Sequence, residues 1–281
     1  MSVADTIKTL INRRGLQSIS LPFINGFAKL QNHGLRRIFL DDGIWVHQTS
    51  NGYFAYHQPY LRLDLAKIDE FARQHYFWGY KPKAGDVVVE VGAGVGEETL
   101  TFSRAVGECG KVISIEAHPR TYRCLKKLVE YNRLHNVIPI HVAVTEPGCS
   151  VVTIEDEDKY LANRLKSAAG VAVPAATIDG IHQQLDLGRV QFLKMNIEGA
   201  ERLAIRGMAA TLKQTEILCV SCHDFLAQSV GDDKLRTKSL VGAFLRGNGL
   251  EVVERGEPGP PLWARDQLWA YNQRPIEKPA S

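Results

Sequence analysis

No apolar run in the 281-residue sequence approaches the roughly 18 residues needed to cross a bilayer, so no membrane span is expected. No secretory leader is expected at the start, because Asp5, Lys8, Arg13 and Arg14 interrupt the opening stretch. Cysteine is scarce. Cys109, Cys124, Cys149, Cys219 and Cys222 are odd in number and scattered, which fits reduced thiols in a cytoplasmic protein rather than an oxidised framework. Cys219 and Cys222 form a C-x-x-C, but they sit in a run that reads as a strand, so their side chains should point to opposite faces and act as core residues. A basic excess is missing too: 34 Lys and Arg stand against 31 Asp and Glu, for a net charge of +3. That balance weighs against a nucleic-acid partner, whose footprint is a strongly basic face. What is present, 44% hydrophobic and 23% charged residues, suffices for a buried core and excludes disorder for the bulk of the chain.

Residues 1 to 80 show no regular alternation of elements. Ile7, Leu10 and Ile11 suggest a short helix before Gly15. The stretch 39–62 mixes Trp45, Tyr53, Phe54, Tyr56 and Tyr60 with Gly43, Gly52 and Pro59, as short strands and turns do, and a helix should follow over 63–76. We expect an N-terminal α+β cap whose aromatics either pack on the main domain or line a substrate cleft.

From Lys81 the rhythm becomes regular. Asp86-Val87-Val88-Val89-Glu90-Val91 has the composition of a strand buried on both faces; a glycine-rich turn and a helix over 95–107 follow. A second strand spans 111–116, Pro119 can open a helix without losing a needed hydrogen bond, and a third strand covers 137–144. The rhythm lapses over 145–176, where Glu155-Asp156-Glu157-Asp158 reads as a solvated acidic loop rather than a cation site, so no metal is assigned. Ala168 to Ala176 reads as a loop with a short strand, suited to a lid. The pattern resumes with a helix at 177–187, a strand at 190–195, a helix from Ala200, a strand at 216–222, a helix at 232–248 and closing strands at 250–255 and 266–272. Parallel neighbours need long crossovers, so residues 81–281 are expected to form one α/β domain of the doubly wound, Rossmann-like class, with a seven-stranded, mostly parallel sheet.

The strongest chemical signal is Glu90-Val91-Gly92-Ala93-Gly94-Val95-Gly96, between a buried strand and a helix. Glycines there let a ligand lie against the backbone. Glu97 stands where a dinucleotide fingerprint needs its last glycine, and no Lys-Ser/Thr follows to hold a triphosphate. A carboxylate from Glu90 in the turn would repel phosphates and attract a cationic amino-acid group, such as the ammonium of S-adenosylmethionine. Glu116, ending the second strand, is placed to accept ribose hydroxyls.

With Glu116-Ala117-His118-Pro119 and Tyr131-Asn132, the stretch from Gly85 to Ala143 resembles a class I S-adenosyl-L-methionine-dependent methyltransferase. Thr177-Ile178-Asp179, followed by Leu193-Lys194-Met195-Asn196-Ile197-Glu198-Gly199-Ala200-Glu201, resembles the FkbM-type family within that class. Asn196 departs from the Asp usual in that motif. The resemblance implies S-adenosyl-L-methionine as cofactor, held by Glu90, Gly92, Ala93, Gly94, Gly96, Glu116, Ala117 and Ala143. It also implies methyl transfer to a hydroxyl of a saccharide or other natural-product acceptor. Such a hydroxyl needs a base, and Glu198 and His223, just past the fourth and fifth strands, are the candidates. Asn196 could orient the cofactor or a substrate hydroxyl, or simply serve the turn. For Glu198 the alternative role is a first-turn helix residue favoured by the dipole, and for His223 a hydrogen-bonded strand end. Lys194 could reach the rim of the sheet or touch substrate, and Asp179 should cap or turn the chain.

Two other functions remain open at this level: a nucleic-acid methyltransferase on the same fold, and a scaffold that keeps the cofactor pocket without turnover. Asn196-Ile197-Glu198-Gly199 does not match the Asp/Asn-Pro-Pro-Tyr/Phe turn used on base amino groups, and Asn196 is what sustains the scaffold reading. A homo-oligomer is compatible with the sequence.

Overall fold

Alternating β-branched strands and amphipathic helices assemble into one sheet flanked on both faces. The computed structural model describes residues 17–31, 34–60, 63–155, 170–255 and 262–273. The expected helix near Ile7 to Ile11, and Asp156 to Asp158 of the acidic block, lie outside them.

The described chain starts with α1 (Gln17–Gln31) and an antiparallel meander of β1 (Leu35–Asp41), β2 (Ile44–Thr49) and β3 (Gly52–Tyr56). Asp42 and Gly43, with φ of 51° and 73°, make the β1–β2 turn, the pairing that the twist of a hairpin favours. Helix α2 (Leu65–Tyr76) follows, capped by the Asp64 carboxylate. Then come β4 (Val87–Val91), α3 (Glu97–Val106), β5 (Lys111–Glu116) and α4 (Pro119–Asn132), as the sequence predicts, and β6 (Val137–His141).

The main sheet is completed by β10 (Val190–Met195), β11 (Thr215–Ser221), β12 (Leu250–Glu254) and β13 (Gln267–Asn272). Its order is β12-β13-β11-β10-β4-β5-β6, parallel from β11 to β6 and antiparallel at β13 and β12. The expected seven-stranded, doubly wound sheet is therefore the observed one. Successive strands run one way from β4 through β5 to β6 and the other way from β4 through β10 to β11. The carboxyl ends of β4 and β10 thus flank the switch point, where open α/β sheets bind ligands.

Three elements differ from the expected boundaries. The strand expected over 137–144 splits: β6 ends at His141, and β7 (Ala143–Val144) joins a separate small sheet, β7-β9-β8, with β8 (Val151–Ile154) and β9 (Val171–Ala176). Pro139 is tolerated in β6 because that strand is the sheet edge. The helix expected from Ala200 is broken into α6 (Glu201–Ala204), a 3-10 turn at Ile205–Gly207 and α7 (Ala209–Gln214). At the break a side chain on Gly207 would lie 2.7 Å from Thr177, which opens the preceding helix α5 (Ile178–Gln184), so the two segments pack closely there. Asp179 caps, as expected, but the helix it caps is α7: its carboxylate accepts the Ala210 and Thr211 N–H groups at 3.1 and 2.7 Å. After α8 (Asp224–Val230), the helix expected over 232–248 is a 3-10 turn and then α9 (Lys238–Gly247), started by the Asp224 carboxylate on the Thr237 and Lys238 N–H groups.

Side chains of one parity along β4, β5, β10 and β11 (Val89, Ile113, Leu193, Leu218) pack with residues of α5, α6, α7 and α9. Those of the other parity (Val88, Val112, Phe192, Cys219) pack with Tyr76 of α2 and Phe102 of α3. Cys219 and Cys222 fall in these two opposite layers, as the strand reading requires. Trp45, Phe54 and Tyr56 are buried; Phe54 and Tyr56 pack with Val95, Leu100 and Leu128 of the main unit, so of the two expected roles, packing and cleft lining, these aromatics take packing. Asn132 of α4 clamps the meander through the Tyr53 N–H and C=O, at 2.9 and 2.7 Å. Among the described residues no helix is long and apolar enough to cross a membrane.

Candidate active site

At the carboxyl edge, between β5, β4 and β10, lies a cleft of ≈ 1050 Å³, its open mouth included. Its floor is the turn after β4. A Cβ on Gly92 (φ +80°) would lie 2.0 Å from the Asn196 carbonyl, so glycine lets the ends of β4 and β10 touch. A Cβ on Gly96 (φ +95°) would lie 2.8 Å from Leu125, so this glycine serves the packing of α3 on α4. Gly94 (φ +58°) has nothing within 4 Å of a Cβ and borders the cleft, leaving backbone open to a ligand.

Of the residues expected to hold a cofactor, Gly92, Ala93, Gly94, Glu116, Ala117 and Ala143 line the cleft. Gly96 and Glu90 are not among its lining residues, and this corrects two expectations. Gly96 is turned into the helix packing. Glu90 is fully buried beneath the turn, where the sheet register sets it beside Lys194 of β10 and Ser114 of β5. Its carboxylate accepts hydrogen bonds from Thr99 Oγ1 at 2.5 Å, Ser114 Oγ at 3.2 Å and Lys194 Nζ at 3.3 Å. Lys194 Nζ also donates to the Gly92 carbonyl at 2.7 Å and lies 5.4 Å from the Tyr76 ring centre. Burial raises the Glu90 pKa against the pull of the Lys194 charge. For Lys194, burial pulls the pKa down, but Tyr76, Glu90 and Glu98 outweigh it and the net direction is upward. The anion expected at the mouth of the turn is thus an internal ion pair, and Lys194 is its partner.

The two oxygens of Glu116 accept the Gly94 and His118 N–H groups at 2.9 and 2.8 Å, and lone pairs remain for further donors. Burial pushes its pKa up to about 7 against those two bonds. Glu97 and Glu98, in the first turn of α3, also line the cleft. Tyr56 Oη of β3 donates to Glu97 Oε1 at 2.5 Å, and burial pushes the Glu97 carboxyl up to about 7. Sequence reasoning treated Glu97 only as a missing glycine. Two acids directly after the turn were the overlooked signal.

On the β10 side, Asn196, Ile197, Glu198 and Ala200 line the cleft. Glu198 precedes α6 rather than belonging to its first turn, and it is held at φ +54°, followed by Gly199 at +94°. A non-glycine residue there costs on the order of 1 kcal/mol or more, and such strain clusters at working sites. The first-turn acid is Glu201, fully buried, whose Oε1 accepts the Ile197 N–H at 3.2 Å. His223 sits between the two acids, with Nδ1 2.9 Å from Glu201 Oε1 and Nε2 3.4 Å from Glu198 Oε1. Burial lowers its pKa, but the two carboxylates outweigh that and bring it up to about 10. The two carboxylates thus favour the protonated form of His223, which is not among the lining residues and has an acid at each ring nitrogen. The geometry makes it the group that orients Glu198.

The residues present suit a nucleoside sulfonium. Bare backbone at Gly94, the Glu116 carboxylate and small apolar walls at Ala117 and Ala143 leave room for a flat ligand, and Lys194, which also borders the cleft, is already paired with Glu90. Among the described residues no group of three or more His, Cys, Asp or Glu is arranged to hold a metal ion.

A 75-residue stretch, 27% of the chain, is 39% identical to the tRNA (adenine(58)-N(1))-methyltransferase catalytic subunit TRM61 of Yarrowia lipolytica, of which it spans only 19%. Among solved structures, the methyltransferase FkbM from Methylobacillus flagellatus KT is similar at 15% identity and a TM-score of 0.47, over 75% of this chain and 51% of that one. Fibrillarin of Aeropyrum pernix is similar at 14% identity and a TM-score of 0.45, over 84% and 98%. The family described as Methyltransferase FkbM domain matches residues 90–237, more than half of the chain, from the buried acid before the glycine turn to the start of α9. This protein belongs to the FkbM methyltransferase family.

Proposed function

We propose that this methyltransferase acts on a hydroxyl oxygen of a saccharide or related small-molecule acceptor, with Glu198 as the base. The observation that carries the reading is the cleft-lining Glu198 carboxylate, held in a strained backbone conformation and oriented by protonated His223. Bound S-adenosyl-L-methionine supplies an electrophilic sulfonium methyl group. The chain's part is to place the acceptor oxygen, exclude water and take the hydroxyl proton. A hydroxyl proton within hydrogen-bond reach of Glu198 passes to its carboxylate as the oxygen becomes bonded. His223 offsets one of the two local negative charges and prevents the Glu198 side chain from turning away. Asn196, beside Glu198 on the cleft wall, has an amide suited to a second acceptor hydroxyl. Gly92, Ala93, Gly94, Glu116, Ala117 and Ala143 would hold the cofactor.

A methyl-transfer assay across a glycan and secondary-metabolite panel tests this reading. On a true acceptor, Glu198→Gln should lower kcat by about 10²- to 10⁴-fold while cofactor affinity stays nearly constant. Unchanged turnover would refute the assignment. A nucleic-acid acceptor is the second reading, carried by the likeness to the Yarrowia tRNA methyltransferase subunit. Transfer to tRNA but to no panel member would establish it instead.

A further inference from the structure

The acid ahead of the glycine turn is the expected seat for the cofactor's ammonium, yet Glu90 is already paired with Lys194 and turned under the floor. Other carboxylates border the cleft and can meet the ammonium. Glu116 lies on β5, where its two oxygens already accept the Gly94 and His118 N–H groups. Glu198 lies past β10, tied to His223. Glu97 and Glu98 rise between these two, from the helix that follows β4. Of the pair, Glu97 has its direction set by another element: the Tyr56 ring is 1% exposed and its hydroxyl holds one Glu97 oxygen.

We propose that Glu97, oriented by Tyr56, is the carboxylate that receives the ammonium group of S-adenosyl-L-methionine in place of Glu90. The second Glu97 oxygen is then available to the ligand, and burial, which makes a lone anion costly there, makes a cation beside it favourable. The β1–β3 meander thereby takes part in cofactor binding: Tyr56 is at the end of β3, and Arg104 of α3 grips Asn51 in the β2–β3 turn. Tyr56 is a positioning residue, and Glu97 a binding residue.

Calorimetric titration of the full chain with two ligands isolates the contact. S-adenosylhomocysteine carries the ammonium; 4-(5′-adenosylthio)butanoate is the same molecule without it. Glu97→Gln should weaken S-adenosylhomocysteine at least about tenfold, the scale of a lost charge-assisted hydrogen bond, and leave the butanoate analogue within about twofold. Tyr56→Phe should reproduce the ligand-selective loss at smaller size, and it keeps the ring that packs the core should Glu97→Gln fold poorly. Equal losses on both ligands, or a selective loss with Glu98→Gln in place of Glu97→Gln, would overturn the proposal.

Discussion

Lys194→Met tests the account of the buried pair most directly. Lys194 and Glu90 are 1% and 0% exposed, and among the described residues the substitution removes the one cation within hydrogen-bond reach of Glu90 while nearly conserving volume. The carboxylate then keeps only the Thr99 and Ser114 hydroxyls. Breaking a buried pair from one side costs about 3–5 kcal/mol. In a chain of this size that lowers Tm by about 6–20 °C, at roughly 2–4 °C per kcal/mol. The pH dependence has a definite sign. The folded-state pKa of Glu90 lies above its unfolded value, chiefly through burial, and removing Lys194 drives it further up. The native state then binds more protons than the unfolded state, so stability falls as pH rises through that raised pKa. The deficit should be larger at pH 8 than at pH 5. Adding Glu90→Gln removes the orphaned charge and should restore most of the loss. Urea unfolding of the wild type and the single and double variants at both pH values measures all of this. A single variant within about 1 kcal/mol of wild type, or a double variant no more stable than the single, would refute the reasoning.

Two further outcomes follow from the same geometry. Gly92→Ala should destabilise the fold by about 2 kcal/mol or more, because its Cβ meets the Asn196 carbonyl, whereas Gly94→Ala should keep the fold apart from a backbone cost of about 1 kcal/mol and lose affinity for S-adenosylhomocysteine; denaturation curves and calorimetry separate the two. His223 has a folded pKa of about 10 against an ordinary 6.5, so its stabilising contribution is complete below about pH 6.5 and is lost as pH rises towards 10. His223→Gln should therefore lower stability at pH 6 and flatten its decline between pH 7 and 10, as read from Tm against pH.

The sequence by itself determined the sheet and its switch point, because strand and helix periodicity, the glycine turn and the placing of Pro119 are local patterns that short-range sterics enforce. It also marked Glu116, Asn196 and Glu198, since residues that end parallel strands at the switch point face a common edge. Only the tertiary structure decided what each acid does. Glu90 looked like an anion at the mouth until the register of β4 and β10, 104 residues apart, put Lys194 beside it. His223 looked like a neutral base until the α6 turn brought Glu201 to its other nitrogen. Burial and partners set the charge of a titratable group, and both come from residues distant along the chain, so no local pattern records them.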